Sequence, residues 1–514
     1  MDLFDNSVSY RTTPMLTEVV LMDLGVIGTE LFGDFFIFRN DDMAFVGLIS
    51  VSAVCVFMLL ANIIRRKIRF FRRLLMPTAV IAGLLGLIVK EIILAIWGFN
   101  IFSADTLGAL IYHLLPVGFI ALCLRERDNY SKEYDKGKMQ IERVAARKSG
   151  SLIIGYYLLQ GLIGIGVTVL LGLTFLPELN QATGIMLALG FGQGPQQANA
   201  TGLIWDAAGH MAYWGAGAAR NYGLTIAAMG FLWASIPGIL LTNWIAKKKG
   251  LARKRDEFQK TGDLPSYAIE EPDEVPLSES IDKFTLQVCM VGGVYVLTIG
   301  VIILIEIAFR FSGIPFLIDL IPTFWGFAFM LAAALALCVR SILRRLVKVG
   351  IMHRKYPNKY MMNRISGVSF DLAITAALFL VSVTTLGTLW IPIIIMTTIG
   401  GLATALYLHF FCPILYKGYK DEAFLAFYGM SVGTIANGMI LSREIDPDFK
   451  TPASDDLVLG SSAAIILGFP LLLLIAQAPR PGNLWWVSII ILIYFLILVF
   501  YLLKDELFKK KPKV

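Results

Sequence analysis

Apolar segments of about 20 residues recur along this chain, and each is long enough to cross a hydrocarbon core of about 30 Å as a helix. Charged residues make up 16% of its 514 residues, whereas a soluble domain carries about 25%. Lipid rather than water therefore surrounds most of the surface. We predict an all-α polytopic membrane protein with eleven spans. The predicted spans are residues 43–63, 77–97, 107–124, 151–173, 222–246, 286–309, 316–339, 366–385, 391–412, 457–477 and 484–503.

Two further segments, 184–205 and 423–442, are long enough to span but are interrupted in the middle. The first reads GIMLALGFGQGPQQANATGLIW and the second reads AFLAFYGMSVGTIANGMILS. Each carries glycines and neutral polar residues where an ordinary span is apolar. The topology of the whole chain depends on whether these two segments cross the membrane.

Basic residues mark the cytoplasmic loops of membrane proteins. If segment 184–205 crossed the membrane fully, the basic loop at 247–255 would lie on the side of the uncharged loops. If both interrupted segments enter and leave on one face, all strongly basic loops become cytoplasmic together. We therefore predict two re-entrant segments dipping from opposite faces, with the N-terminus outside and the C-terminus inside. The basic clusters are residues 65–73, 125–148, 247–255, 340–364 and 509–513, and loops 98–106, 174–183 and 386–390 contain no Lys or Arg.

This topology divides the chain into two equivalent halves. Each half has four spans, a re-entrant segment and a fifth span, and the odd number of spans inverts the second half relative to the first. Ala198-Asn199 in one re-entrant segment corresponds to Ala436-Asn437 in the other. The predicted organisation is an N-terminal extramembrane or interfacial extension at 1–42, a first repeat at 43–246, a cytoplasmic linker at 247–283, a second repeat at 286–477 and an extra C-terminal span at 484–503.

The two interruptions form the candidate binding site. Irregular backbone at membrane depth is tolerated where protein or a water-filled cavity satisfies its polar groups, and inverted-repeat transporters bind substrate and coupling ions at such breaks. Neutral amide and hydroxyl groups there can hold a small zwitterion or carboxylate; alternatively, the small residues only let helices pack closely. The candidate substrate ligands are Gln193, Gln196, Gln197, Asn199, Thr201, Ser431, Thr434 and Asn437. The candidate ion ligands are Gly192, Gly194, Gly429, Gly433, Asn199, Asn437 and Asp371.

Asp371 is an ionisable residue inside an apolar segment, and two interpretations of it stay open. We expect it one turn inside the eighth predicted span, where a carboxylate suits the positive end of the helix dipole. Ionisable residues inside membranes commonly face protein or a cavity. Asp371 is therefore either a structural cap or a ligand for an ion or proton.

Five short stretches, in this order along the chain, resemble the bacterial sodium/glutamate symporter family. None is a strict signature alone, but their shared order makes chance agreement improbable. They are MPTAVIAGLL at Met76–Leu85, QGLIGIG at Gln160–Gly166, EVP at Glu274–Pro276, RISGVSFDL at Arg364–Leu372 and YKDEAFLAFYGMSVGTIANGM at Tyr419–Met439.

The resemblance covers about residues 43–477 and implies sodium-coupled symport of glutamate or a related small carboxylate or amino acid. It also implies a homodimer in the bacterial inner membrane, with an elevator-like movement of one part of each protomer against the other. Two departures bear on the substrate. The family's first re-entrant centre is typically Ser-Gly-Gly-His-Gly-Thr-Gly, but this chain has GFGQGPQ, with Gln193 nearest the missing His. A Ser that is usual in the eighth span is Asp371 here.

Two other transport functions stay open: a proton-coupled organic-anion carrier in which Asp371 titrates, and a channel lined by the re-entrant segments. We do not expect an enzyme, because no paired acid and base and no metal-ligand motif lies at membrane depth. The net charge of +7 resides in short loops. The expected partners are therefore Na⁺, a small substrate and lipid rather than nucleic acid, with no cofactor beyond the coupling ion.

Overall fold

The structure is a computed structural model that describes residues 43–68, 70–71, 76–98, 102–125, 136–249, 277–352, 357–446 and 451–507. The predicted extension at 1–42 and most of the linker at 247–283 lie outside these residues. The described part contains helices and no β-strand. Its α-helices are α1 (Met43–Lys67), α2 (Thr78–Trp97), α3 (Ala104–Leu124), α4 (Lys136–Thr174), α5 (Pro195–Ala207), α6 (Ala218–Lys248), α7 (Leu277–Ser312), α8 (Pro315–Gly326), α9 (Ala328–Lys348), α10 (Lys359–Leu380), α11 (Trp390–Leu415), α12 (Lys420–Ser431), α13 (Ile435–Arg443), α14 (Ala453–Gln477) and α15 (Leu484–Leu507).

Eight of the described helices are long and apolar enough to cross a membrane, namely α1, α2, α3, α4, α6, α7, α11 and α15. Their outer faces carry large apolar side chains with no protein covering them; on α7, for example, Val296 is 71% and Leu304 is 66% exposed. Such a surface is stable in lipid and not in water. The chain is therefore an all-α multi-pass membrane protein, as the apolar segments predict.

The seventh predicted span, residues 316–339, is a bent pair of helices in the structure. Helices α8 and α9 meet at 65° and together are long enough for one further span. The bend falls at Gly326 and Phe327, where Phe327 has a non-helical φ of −104° and ψ of 30°. A side chain at Gly326 would strike Ile204 of α5, so the bend brings α8 and α9 close to the first interrupted segment.

Helix α10 begins earlier than predicted, and this changes the position of Asp371. The N-cap Asn358 accepts a hydrogen bond from the Met361 N–H through its side-chain oxygen at 3.0 Å, which fixes the helix start at Lys359. Asp371 is therefore twelve residues into the helix, in its middle. The expectation that Asp371 caps a helix start is wrong. Helices α10 and α14, both predicted as spans, are helical but fall outside the eight spans defined by length and composition.

The helices pack as two groups. In the first helix group, α10 lies against α3 and α2, α9 lies against α3, and α7 lies against α8 and α9. In the second helix group, α4 lies against α14, α11 and α15, and α6 lies against α5 and α12. One extended apolar core fills the second helix group, and smaller clusters fill the first. The interrupted segments belong to the second helix group and touch the first through α5.

An ion-pair cluster ties the end of α6 to the start of α12. Lys249 Nζ lies 2.6 Å from Glu422 Oε1 and 3.3 Å from Asp421 Oδ2. Burial alone would lower the pKa of Lys249, but the hydrogen bond with Glu422 and the charges of both carboxylates raise it overall. Because the folded-state pKa is raised, the stabilisation is complete below the ordinary lysine pKa and is lost as pH rises through the folded value.

We expect Lys249→Met to lower the free energy of unfolding by about 0.5–1 kcal/mol at neutral pH, the range of a partly exposed ion pair. Thermal unfolding of the detergent-purified protein measures the change. Lys247→Met is the matched control, because Lys247 forms no described ion pair. Equal melting temperatures for the Lys249 variant and the wild type at neutral pH would contradict this role.

Candidate functional site

The first interrupted segment is broken where its glycines and proline coincide. A 3-10 helix at Gln181–Ile185 is followed by a π-helix at Leu187–Gly192, and the break falls at Gln193 and Gly194. Gly194 has a φ of +99°, which L side chains rarely adopt. Pro195 then occupies the first position of α5, where its missing N–H costs no hydrogen bond. The sequence Gly194-Pro195 therefore ends the preceding helical turn and begins helix α5.

The far end of α5 is fixed by a side chain. The Asp206 carboxylate accepts hydrogen bonds from the backbone N–H groups of Ala219 (2.8 Å) and Arg220 (3.0 Å). These two N–H groups belong to the first turn of α6 and would otherwise have no partner. Asp206 therefore holds the end of the interrupted segment against the next span.

The second interrupted segment has a similar break between α12 and α13. Helix α12 ends at Ser431, and α13 starts at Ile435 after Val432–Thr434. Gly433 lies in the break, but Gly429 and Gly438 do not. A Cβ at Gly429 would lie 2.7 Å from the Gly438 Cα, so these two glycines let the arms of the segment pack backbone against backbone.

The two breaks meet each other. A Cβ at Gly194 would lie 3.7 Å from Thr434 Cγ2 and 3.8 Å from the Gly433 carbonyl oxygen. Helices α5 and α13 both begin here, and neither start has a side-chain cap. The start of a helix carries partial positive charge on its free N–H groups. Two positive helix ends therefore converge at one point inside the protein.

A cavity of about 290 Å³ opens beside this point, between the two helix groups. That volume lies near the lower end of the range for small-molecule sites, roughly 300–1,000 Å³. Its wall on the side of the first helix group comes from α3, α9 and α10. Its opposite wall comes from α4, α14 and both interrupted segments. The predicted ligands that line it are Gly192, Gln193, Gln196, Gln197, Asp371, Gly433 and Thr434.

The remaining predicted ligands do not line this cavity. Asn199 borders a separate cavity of about 10 Å³, which it shares with Gln196 and the α8–α9 bend; that is roughly the space of one water molecule. Ser431 donates a hydrogen bond to the Tyr428 carbonyl in its own helix, 2.8 Å away. The predicted ligands outside the main cavity are Gly194, Asn199, Thr201, Gly429, Ser431 and Asn437.

Several buried polar atoms around the breaks have no hydrogen-bond partner among the described residues. Both side-chain atoms of Asn199 are in this state, although the residue is 1% exposed. Buried polar groups in folded proteins nearly always have partners, and each exception calls for an explanation such as a water, an ion, strain or a functional role. The unpartnered atoms near the breaks are Gln160 Oε1, Gln197 Oε1, Asn199 Oδ1, Asn199 Nδ2, Thr201 Oγ1 and Asn437 Nδ2.

Asp371 is the carboxylate of the main cavity. Asp371 is exposed where it lines the cavity, in the middle of a largely apolar helix. Within the described part of the chain its carboxylate forms no ion pair or hydrogen bond. A charge with no partner in such a place is costly. The side chain is therefore free to bind a ligand or a proton that enters the cavity.

Two features of the site are not predicted. Gln160 of α4 donates hydrogen bonds to Thr404 Oγ1 (3.0 Å) and the Ser431 carbonyl (2.9 Å), and so fixes the second interrupted segment. A lone amide in an apolar span is a signal for such a role.

The cavity wall also carries aromatic rings, with Phe119 packed edge-on against Phe370 at 5.3 Å. No sequence signal separates these rings from lipid-facing ones.

Fold and site together define a multi-pass membrane protein with a ligand-sized cavity between two helix groups. In comparisons with known proteins, no family model, curated protein or solved structure matches this chain. The described residues also contain no group of three or more His, Cys, Asp or Glu side chains that could hold a metal ion.

Proposed function

We propose that this protein is a secondary transporter that couples the uptake of a small amino acid or carboxylate to sodium entry. The observation that carries the proposal is the meeting of two uncapped helix starts at a cavity between two helix groups. Such breaks expose N–H groups for an anionic group and carbonyl oxygens for Na⁺. Glutamate, which the resemblance implies, is the first substrate to test.

The architecture that we propose is a pair of inverted repeats with two re-entrant segments. Its support is the order of elements in the described chain. Three apolar elements (α1 to α3), a long helix (α4), an interrupted segment and a further helix (α6) are followed by the same series. In the second series these are α7, the pair α8 and α9, α10, then α11, the second interrupted segment and α14. Helix α15 is the extra C-terminal span.

The position of the cavity supports an alternating-access mechanism. Its walls belong to different helix groups, so sliding the second helix group against the first would open the site to one side of the membrane and then to the other. The two breaks touch each other within the second helix group and would move as one body. We further propose the bacterial inner membrane, an outside N-terminus, an inside C-terminus and a homodimer as the setting.

One observation favours the proton as an alternative coupling ion to Na⁺. Asp371 reaches the cavity without a basic partner among the described residues, so it can carry a proton as well as bind Na⁺. A proton-coupled carrier is therefore the alternative. A channel would use the same helix ends without saturable exchange.

Uptake into proteoliposomes tests the proposal. We expect labelled L-glutamate, or another amino acid from a mixed pool, to accumulate under an inward Na⁺ gradient and not under a K⁺ gradient of equal ionic strength. Counterflow of preloaded unlabelled substrate should appear without any gradient. Uptake driven by a pH gradient without Na⁺ would support the proton-coupled alternative. Non-saturating flux without counterflow would refute a transporter.

A further inference from the structure

The cavity wall has an uneven distribution of charge. Asp371 is the one carboxylate among its described lining residues, and no Lys, Arg or His belongs to that lining. The other polar side chains there are neutral, chiefly the amides of Gln193, Gln196 and Gln197. A ligand with a net negative charge would therefore meet a carboxylate and no basic side chain. Full negative charges without partners are expensive away from water.

The cavity nevertheless has a place for one carboxylate. Helices α5 and α13 start at its edge, and neither start has a side-chain cap; the N–H groups in the first turn of a helix have no partner within that helix. A helix start stabilises an anionic group without a basic side chain. The second observation is the side chain of Gln197, which lines the cavity, is 6% exposed and leaves Oε1 without a partner among the described residues. Because this oxygen can only accept a hydrogen bond, it suits the ammonium group of a ligand whose carboxylate lies at the helix starts. The polar end of the cavity is thus built to bind a ligand.

The rest of the wall is apolar. Phe119, Phe329 and Phe370 surround one side, with Phe119 ring centroids 5.1 Å and 5.3 Å from the other two. Aliphatic residues of α4 and α14, such as Ile154 and Leu471, line the other side. Apolar walls with a few polar groups favour a ligand with an apolar body, and each CH₂ that they remove from water contributes about 0.8 kcal/mol.

We propose that the cavity binds zwitterionic α-amino acids with large apolar side chains, with Asp371 as the partner of the substrate ammonium group. The substrate carboxylate lies at the starts of α5 and α13, and the side chain lies among the three phenylalanines. Glutamate fits less well, because its second carboxylate meets no basic group. This inference rests on the proposed function and narrows its substrate class.

Ligand binding to the full-length chain in detergent, with Na⁺ present, tests the class without requiring transport. The readout is the rise in melting temperature with ligand concentration. We expect L-phenylalanine and L-leucine to bind at least about tenfold more tightly than L-glutamate, the effect of one unpaired charge. 2-Phenylethylamine lacks the carboxylate and 3-phenylpropionate lacks the ammonium group, so both should bind more weakly than L-phenylalanine. Tightest binding of L-glutamate, or no shift with any ligand, would overturn the proposal.

Asp371→Asn tests the partner of the ammonium group. We expect the affinity for L-phenylalanine to fall at least about tenfold, as for a lost charge-assisted hydrogen bond, while 3-phenylpropionate binds as well as before or better. Glu306→Gln is the matched control, since Glu306 pairs with Arg310 on α7, away from the cavity. An unchanged preference for amines in the Asp371 variant would refute the assignment.

Gly367 allows a second test that leaves all polar groups in place. It lies one turn before Asp371 on α10 and lines the cavity, and a Cβ there meets nothing within 4 Å. Gly367→Leu should therefore place apolar atoms in the cavity, with a Cβ that touches no neighbour. We expect L-phenylalanine to bind at least about tenfold more weakly and L-alanine to change less than about threefold. Gly367→Ala is the control for folding, and equal losses for both ligands would count against an apolar side-chain pocket.

The two proposals can fail separately. Binding of L-phenylalanine without uptake under either a Na⁺ gradient or a pH gradient would refute the transporter and leave the ligand class intact. Sodium-driven uptake of glutamate that L-phenylalanine does not compete would confirm the transporter and overturn the ligand class.

Discussion

The Asn199→Ala protein is expected to fold with undiminished stability and to lose sodium-driven uptake. Both polar atoms of the Asn199 side chain are buried without a hydrogen-bond partner among the described residues. An unsatisfied buried group costs about 1–3 kcal/mol, so its removal should raise the free energy of unfolding or leave it unchanged. The same two atoms can bind a ligand or an ion, so we expect their removal to impair uptake. Thermal unfolding and proteoliposome uptake, measured on the same preparation, check both halves of this prediction.

Asn221→Ala is the matched control for that substitution. The Asn221 side chain donates to the Ser382 carbonyl (2.7 Å) and accepts from the Ser382 N–H (2.8 Å). Its loss should lower the free energy of unfolding by about 1–3 kcal/mol. If Asn199→Ala melts as early as Asn221→Ala and still transports, Asn199 is a structural residue and not a ligand.

Asn437→Ala is expected to behave like Asn199→Ala, with a smaller gain in stability. Asn437 Nδ2 has no described partner, but Oδ1 lies 3.4 Å from Thr434 Oγ1 and accepts a long hydrogen bond from it. The substitution therefore removes one unsatisfied atom and one weak bond. Uptake should be abolished or strongly reduced, and wild-type uptake in both Asn variants would refute the predicted site.

The largest loss of stability is expected for Gly164→Ala. A Cβ at Gly164 would overlap the carbonyl oxygen of Gly184, and a Cβ at Gly184 would overlap the backbone of Gly164. Both partners are backbone, so neither can move aside as a flexible side chain does. We expect a loss of about 3 kcal/mol or more. Because Gly184 belongs to the 3-10 helix that leads into the first interrupted segment, uptake should be lost as well.

Gly166→Ala on the same helix is the control for Gly164→Ala. A Cβ at Gly166 meets nothing within 4 Å, and alanine is the better helix former by about 1 kcal/mol. We expect unchanged uptake and equal or higher stability. Similar melting temperatures for the two variants would show that α4 and the interrupted segment do not pack backbone against backbone.

The sequence by itself determined the class of the fold and the position of both interruptions. The length of an apolar segment predicts a helical span, because backbone N–H and C=O groups in lipid can form hydrogen bonds only within the helix. Gly194-Pro195 predicts a break because one residue adopts positive φ and the next cannot extend a preceding helix. These are local properties, and each can be read from a few adjacent residues.

Only the tertiary structure decided which residues meet. Asp371 lies opposite the interrupted segments because α10 starts at Lys359 and packs against α3. Residues far apart in sequence, Gly194 and Thr434, are neighbours. The sequence also does not distinguish Phe370, which lines the cavity, from Phe410, which is 57% exposed on the outer surface. The hydrophobic effect is non-directional, so the local sequence does not indicate whether an apolar ring faces a cavity, the core or lipid. The packing of helices that are distant in sequence determines which of these it faces.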